Sequence, residues 1–590
     1  MGSIMVLRIK LNIVLFVITT SLFLPGYAQV KQQRKDSTAA VYKRIKDYSK
    51  KNKVTKFLHR LIFKQANKPK KNTDPNITIY SPFEGKIIRN INIETHDPFG
   101  FSLTDSTERA NSWLEKTGNK LHLKSKKFNI RNLILIKKNT HLDSLLVIES
   151  ERLIRAKNYV RSVKITPEAI AHTPDSVDIL IEVLDSWSLG AEVQFSTYKT
   201  KIKFNERNYL GFGHQFKPDI TYRYRDQKFA YDFLYNIPNI RNTYIGVSAR
   251  YSKGLGGFYI KRLNVERPFF SIFSKWAGGI YVDERYWQEN IFNQPENSEP
   301  QDFKYQSQDI WAGYSFKIFK GKLLEDRVSS LITSLRLLNV NYKQHPSVKY
   351  DSIQFYDDEL FLLGSVGITS QQYVKDSYIF RDGIIEDVPV GNSYALLAGI
   401  QHKNNKNRLY LGAEIAEGKY FNWGHLSANL AFGTFFNNFR LQQTTFSFQA
   451  YYFTNLLNLS GGWKMRQFIK PMFVIGTNRL NSIGDRLTIN EDDQLQRFYY
   501  NTHRNRENRG IPGFDSNQRG TKKYVLSLQS QFYAPWELLG FRIDPFININ
   551  AAILGNEGTP ITKNKFYSAI GIGMLIRNDY LVFNAFQLSL

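Results

Sequence analysis

The side chains that ordinarily carry catalysis are scattered through this chain. Ten histidines are dispersed along 590 residues, with no H-E-x-x-H pair at helical spacing to hold a metal. No G-x-S-x-G elbow, phosphate loop or dinucleotide fingerprint stands in the strand–turn–helix context that would give it meaning. Gly254-Leu255-Gly256-Gly257 is rich in glycine, but it lies between strand-like segments and is expected to be a turn or kink. There is no cysteine, which excludes disulfides, thiol catalysis and cysteine-ligated metal. A Ser/His/Asp site assembled only in space stays open. The expectation is a protein that is not an enzyme and needs neither cofactor nor metal.

What does recur is alternation. From Gln215 to Arg225, Phe216, Ile220, Tyr222 and Tyr224 share one face, and Gln215, Lys217, Asp219, Thr221, Arg223 and Arg225 share the other. After a polar turn, Phe229, Tyr231, Phe233, Tyr235 and Ile237 alternate with Ala230, Asp232, Leu234 and Asn236. Two faces of opposite character at period two suit a wall between lipid and an aqueous lumen. Pro218 interrupts the first segment, since proline donates nothing to a ladder. It marks either a bulge or the strand's start. The 34 Tyr and 43 Phe would supply the aromatic girdles of such a wall. The expected fold class is mainly β: an antiparallel transmembrane barrel over residues 188–590, behind a small α+β domain.

The formal net charge of +28 has the sign of a nucleic-acid binder, but its distribution does not fit one. Much of it lies in Gln29–Asn76 and the rest is spread among barrel-like segments. No nucleic-acid partner is expected; anionic headgroups and lipopolysaccharide are. Arg8 and Lys10, the apolar run Leu11–Leu24 and the small-residue exit Gly26-Tyr27-Ala28 have the layout of a cleaved signal peptide over residues 1–28. Export followed by amphipathic strands points to an outer membrane of the Gram-negative type. Residues 29–79 are a basic lead-in with an irregular apolar stripe, either amphipathic helix or solvated linker.

Residues 80–187 change character. Ile87–Glu94 is expected to be a strand, Lys127–Ile136 and Leu142–Ala156 helices, and Tyr159–Ile165 a strand. Thr140 with Asp143 three residues on resembles a capping pair. Thr173-Pro174-Asp175-Ser176 is a turn. Val177, Ile179, Ile181 and Val183 then alternate with polar residues. The order is strand, helix, helix, strand, strand. Asp97–Lys126 fits none of these and would be an insertion or an extra helix.

Within this region Ser150-Glu151-Arg152-Leu153-x-Arg155, Tyr159-Val160, Val177-Asp178-Ile179 and Asp185-Ser186-Trp187-Ser188 resemble the last POTRA domain of the Omp85 superfamily, the barrels that assemble or translocate outer-membrane polypeptides. Asn208-Tyr209-Leu210-Gly211-Phe212-Gly213 resembles the turn after that family's first strands. The family also carries Arg-Gly-Phe or Arg-Gly-Tyr in a long loop near the C-terminus, whose arginine docks inside the barrel. Here Asn490–Lys523 contains Ile511-Pro512-Gly513-Phe514: Gly513 and Phe514 match and Pro512 replaces the arginine. Arg509-Gly510 lies just upstream, and Arg504, Arg506 and Arg519 are further candidates. The tail is strand-like, with Phe586, Leu588 and Leu590 alternating, although Leu590 replaces the usual terminal aromatic. The resemblance runs from about Phe128 to Leu590, with one POTRA domain rather than several.

It implies a barrel of about sixteen strands with a weak lateral seam between Leu189–Ser196, including Phe195, and the terminal Phe586–Leu590. It implies a periplasmic POTRA domain whose signature residues are Glu151, Arg152, Arg155, Tyr159, Asp178, Asp185 and Trp187. The partners would be unfolded outer-membrane or secreted polypeptides, the bilayer, and periplasmic accessory proteins. Secretion of one dedicated passenger is the rival within the family. A passive pore or structural surface protein is the rival outside it. Twelve or fourteen strands with larger loops are an alternative count.

Overall fold

The structure is a computed structural model and describes residues 79–103, 109–110, 113–171, 173–291, 299–319, 327–379, 384–438, 440–491, 510–538, 541–577 and 586–589. The expected signal peptide and nearly all of the basic lead-in lie outside these residues, as do Arg504, Arg506, Arg509 and Leu590.

The chain first builds a three-stranded sheet from β1 (Ile87–His96), β2 (Val160–Ala169) and β3 (Ser176–Asp185), in the order β1-β3-β2. β1 runs parallel to β3, and β2 runs antiparallel to it. Three helices, α1 (Trp113–Leu121), α2 (Lys127–Arg131) and α3 (Ser144–Arg155), fall between β1 and β2. Alternation dictates the central strand: Val177, Ile179, Ile181 and Val183 are completely buried while the residues between them are only half-buried. They pack with Ile88, Ile130, Val147, Ile154 and Val160 into one core.

α3 starts where Asp143 accepts a hydrogen bond from the Leu145 amide. An N-cap aspartate satisfies one of the orphan donors of the first turn. Thr140 instead donates to the Lys137 carbonyl, so the cap is Asp143 itself. The expected helix Lys127–Ile136 stops at Arg131: the chain turns at Asn132 and Leu133, whose amide donates to the Ile130 carbonyl, and Ile134 and Ile136 continue without helix into the core. The stretch that fitted no pattern contains α1.

A larger antiparallel sheet follows. Its first six strands are β4 (Leu189–Phe195), β5 (Lys199–Tyr209), β6 (His214–Arg223), β7 (Lys228–Ile237), β8 (Gly246–Lys253) and β9 (Tyr259–Arg267). Longer strands come next: β10 (Trp276–Asn290), β11 (Pro300–Lys317), β12 (Ser329–Gln344), β13 (Glu359–Asp376), β14 (Glu386–Lys403), β15 (Lys406–Phe421), β16 (Gly424–Asn437) and β17 (Arg440–Thr454). The last are β18 (Leu457–Asn458), β19 (Lys464–Thr477), β20 (Lys522–Tyr533), β21 (Glu537–Leu538), β22 (Phe541–Gly555), β23 (Lys565–Arg577) and β24 (Phe586–Ser589). Two-residue β18 and β21 pair with β19 and β22 beside β17 and β20, leaving nineteen strands among the described residues. The expected count was about sixteen; the first six strands are only 7–11 residues long, so more strands fit the same chain.

The two faces separate as the alternation requires. On β10, Trp276, Ile280 and Val282 are exposed while Tyr281, Asp283 and Arg285 are buried. On β11, Ile310, Tyr314 and Phe316 are exposed while Phe303, Tyr305, Ser307 and Asp309 are buried. β23 exposes Phe566, Ile570, Ile572 and Met574. An apolar outside over a polar, hydrogen-bonded inside is a transmembrane barrel wall. Pro218 sits inside β6, and the ladder with β5 skips from Asp219 to Phe216 around it. No helix among the described residues is long and apolar enough to cross a membrane.

The strand order brings β24 round to the side of β4. No residue-by-residue register joins these two among the described residues, and the sheet is not sealed there.

Candidate functional site: the module-to-barrel junction

The charged residues of α3 follow helical spacing and form two ion pairs on its surface. Arg152 binds Glu149 through two 2.8 Å hydrogen bonds, and Arg155 binds Glu151 at 2.6 Å. Each arginine also reaches the barrel rim. Arg155 donates to both carboxylate oxygens of Asp387 on β14, at 2.9 and 2.7 Å. Arg152 donates to the Phe270 carbonyl at 3.0 Å and lies 4.2 Å from the centroid of the Tyr373 ring on β13. Lys375 on β13 binds Glu151 at 2.9 Å, and Arg327 pairs with Asp143. Three residues selected by sequence, Glu151, Arg152 and Arg155, thus meet at one clamp. Their barrel partners were not selected.

Burial pushes the Arg155 guanidinium down, but the hydrogen bonds and charges of Asp387 and Glu151 carry it above its ordinary value. Arg152 is likewise lowered by burial and raised overall by Glu149. Both stay charged, as planar, bidentate partners of carboxylates.

A second junction forms at the first strands. Asp185, fully buried, accepts from the Ser125 amide (2.7 Å), the Ser125 hydroxyl (2.8 Å) and lies 3.1 Å from His122 Nε2. Asn208 donates to Ser125 Oγ at 3.0 Å and accepts from the Gly213 amide at 2.8 Å. The Tyr159 hydroxyl lies 3.1 Å from the Asn129 side-chain amide, and burial raises its pKa. A Cβ at Gly213 would come within 2.7 Å of that hydroxyl, so the turn after β5 lies against the module where only glycine fits. Trp187 donates to the Leu189 carbonyl at 2.7 Å and touches Phe99 and His122. Asp178 stands apart on the outer face of β3, held below the usual carboxylate range by its hydrogen bond to Arg89.

The described parts of the candidate loop between β19 and β20, residues 478–491 and 510–521, fold onto the inner wall. Ile489 and Ile511 are buried against Met472, Val525, Ala552 and Leu554. Phe514 packs edge-on to Tyr567. Gly510 is pressed to the backbone, since an added Cβ would stand 1.7 Å from the Ile489 carbonyl oxygen. Pro512 and Gly513 are exposed, and Gly513 accepts a positive φ of 74° with its amide donating to Glu491 at 2.9 Å. Arg519 lies close enough to Tyr356 for its charge to act on that phenol.

One inward feature was not anticipated. The turn after β13 crosses to strands that are not its neighbours. Asp376 and the Ser377 carbonyl accept from Arg466 on β19 at 3.0 and 2.8 Å. The Tyr378 hydroxyl accepts from Lys464 at 2.9 Å, and Tyr533 donates to the Tyr378 carbonyl. Ile379 joins Val388, Phe453 and Phe468 in an apolar cluster. The turn rests on the intervening strands, where it meets Val388 of β14, Tyr420 of β15 and Phe453 of β17. Such a pairing leaves no periodic trace in sequence.

At the expected seam, Leu189 and Phe195 are exposed on β4, Phe195 at 77%. On β24 the backbones of Phe586 and Leu588 pair with Ile576 and Met574 of β23.

No protein-family model matches the chain, and no curated protein does. Among solved structures, CdiB from Acinetobacter baumannii matches at 9% identity with a TM-score of 0.36, covering 84% of this chain and 68% of that one. CdiB from Escherichia coli matches at 9% identity and TM-score 0.38, covering 84% and 70%. BamA from Haemophilus ducreyi lacking POTRA domains 1-3 matches at 11% identity and TM-score 0.27, covering 85% and 83%.

Proposed function

We propose that this protein is an outer-membrane barrel of the Omp85 type that inserts or translocates polypeptides without enzymatic chemistry, its β1–β3 module serving as a single periplasmic POTRA domain. The observation that carries this reading is the clamp of Arg152 and Arg155 onto the barrel rim. A module of one strand, three helices and two further strands is held at the mouth of an antiparallel barrel, where an arriving chain must pass. Its outer strand β2 is a sheet edge, and an extended client pairs with such an edge through backbone hydrogen bonds. The junction of β4 and β24 is the corresponding edge in the barrel. A client strand pairing there gains bonds that bare lipid cannot offer. The drive is client folding and burial of its apolar face.

The rival, a passive pore, needs an open lumen. The inward loop and the Asp376–Ile379 turn fill part of that space, which favours a gated conduit. Depletion of the protein followed by quantitative proteomics of outer membranes and medium tests the reading. Loss of many barrel proteins assigns general assembly, and loss of one protein assigns a dedicated translocator. An unchanged proteome with altered small-solute permeability overturns it in favour of the pore.

A further inference from the structure

Between β1 and α3 the chain carries an exposed surface that the clamp does not use. Trp113 and Leu121 on or ending α1 are 75% and 70% exposed, and Leu123 and Phe128 just after it are 56% and 53% exposed. Leaving large apolar side chains in water on this scale is costly, and contiguous patches of them mark interaction sites. Lysines are interleaved: Lys116, Lys120, Lys124, Lys126 and Lys127, against Glu115 within the segment and Asp97, which pairs with Lys124 at 2.8 Å. All five are exposed. On α1, Trp113, Thr117 and Leu121 recur every four residues, with Lys116 and Lys120 beside them.

The patch is held in place from below. His122 and Ser125, the buried residues between the exposed ones, are tied to Asp185. Asn119 exchanges hydrogen bonds with the Phe99 backbone at 3.2 and 2.9 Å. The Lys126 amide donates to the Gly211 carbonyl at 2.9 Å, and Phe128 packs on Phe212 at 5.6 Å. Gly211 and Phe212 belong to the turn after β5. The adjoining Tyr209 and Leu210 are exposed, and so are Phe204 on β5 and Leu189 on β4. The apolar outer belt of the barrel therefore continues across its rim onto this segment.

We propose that residues 113–128 are a membrane-interface contact that seats the module against the headgroups of an anionic phospholipid layer. The proposal rests on the reading that the barrel spans a bilayer. Tryptophan and leucine enter the boundary between headgroup and acyl chain, and lysines at the same level meet anionic headgroups. Continuity with the lipid-facing belt and the excess of positive charge select a lipid surface over a protein partner.

The chain lacks cysteine, so single labels can be placed cleanly. Leu123→Cys, Leu396→Cys on the outer face of β14 and Glu168→Cys at the exposed end of β2 would each carry an environment-sensitive fluorophore. The full chain would be reconstituted in phosphatidylcholine bilayers with and without phosphatidylglycerol, with brominated lipid as quencher. The Leu396 label reports the spanning wall and the Glu168 label reports water. Quenching at Leu123 at least about twofold above that at Glu168, stronger with phosphatidylglycerol and reduced by Lys116→Gln/Lys120→Gln/Lys127→Gln, is the expected result. Quenching at Leu396 with none at Leu123 overturns the interface and leaves the barrel reading intact. An unquenched Leu396 label overturns both.

Discussion

Arg155 and Asp387 are 232 positions apart and meet in two hydrogen bonds of 2.9 and 2.7 Å, with side chains only 7% and 13% exposed. One comes from the last turn of a helix and the other from the foot of a barrel strand. The pair is one of several contacts that hold the module at the mouth, beside Arg152 on the Phe270 carbonyl and Arg327 on Asp143.

Removing one partner should therefore be costly. Arg155→Met alone leaves the Asp387 carboxylate without this partner in a poorly hydrated place, which costs on the order of 3–5 kcal/mol, whereas Asp387→Leu costs less because Arg155 keeps Glu151 at 2.6 Å. The double variant should recover much of that loss. Thermal unfolding of the full chain in detergent, run as a double-mutant cycle, measures the coupling. Additive single effects would show that the pair contributes nothing.

Lys157 gives the module a pH dependence. Burial, assisted by the charge of Arg152, lowers its pKa from 10.5 to about 8. Its folded pKa lies below its unfolded one, so charging it opposes folding, fully at pH below about 8. Between about 8 and 10.5 the unfolded state binds more protons, and stability rises with pH. Proteolytic resistance of the module should increase across that window, and Lys157→Met should abolish the increase while stabilising the module at neutral pH.

Two glycines of the inward loop should behave differently. Gly510→Ala places a methyl 1.7 Å from the Ile489 carbonyl oxygen and must displace the loop from the wall. Gly513→Ala meets nothing within 4 Å and carries only the penalty of a left-handed backbone, about 1 kcal/mol. Protease accessibility of residues 478–521 should rise sharply in the first variant and little in the second.

Arg466 secures the turn after β13. Arg466→Met keeps an apolar chain of similar length but loses the two hydrogen bonds to Asp376 and the one to the Ser377 carbonyl. Single-channel recordings should show larger and longer openings than the parent protein. Unchanged conductance would mean that the turn does not restrict the path.

The barrel and the α+β order were legible because period two and period 3.6 are local signals. Phe229 to Ile237 announces its two faces within nine residues, and the buried alternation of Val177 to Val183 does the same. The clamp was half legible. Glu151, Arg152 and Arg155 stood out on their helix, but Asp387, Lys375 and the Phe270 carbonyl are more than a hundred positions away and share no pattern with them. α1 was legible only as one of two readings of its stretch, an insertion or an extra helix, because its nine residues include Gly118 and Thr117, weak helix formers whose placement is decided by Phe99 and Asp185 rather than by propensity. The end of α2 was misjudged for a related reason: an apolar run such as Leu133–Ile136 fills a core equally well as helix or extended chain.

The strands differ in length around the circumference, 7–11 residues from β4 to β9 and 14–18 from β10 to β17. At a rise of about 3.3 Å per residue and a tilt near 40°, a nine-residue strand climbs only ~23 Å and a sixteen-residue one ~40 Å. An apolar band of ~25 Å is nearly met by the short strands, while the long ones rise beyond it. The wall is therefore low along β4 to β9 and stands above the apolar layer along β10 to β17. Any thinning of the bilayer is thus confined to the low side, where the seven residues of β4 climb only ~18 Å.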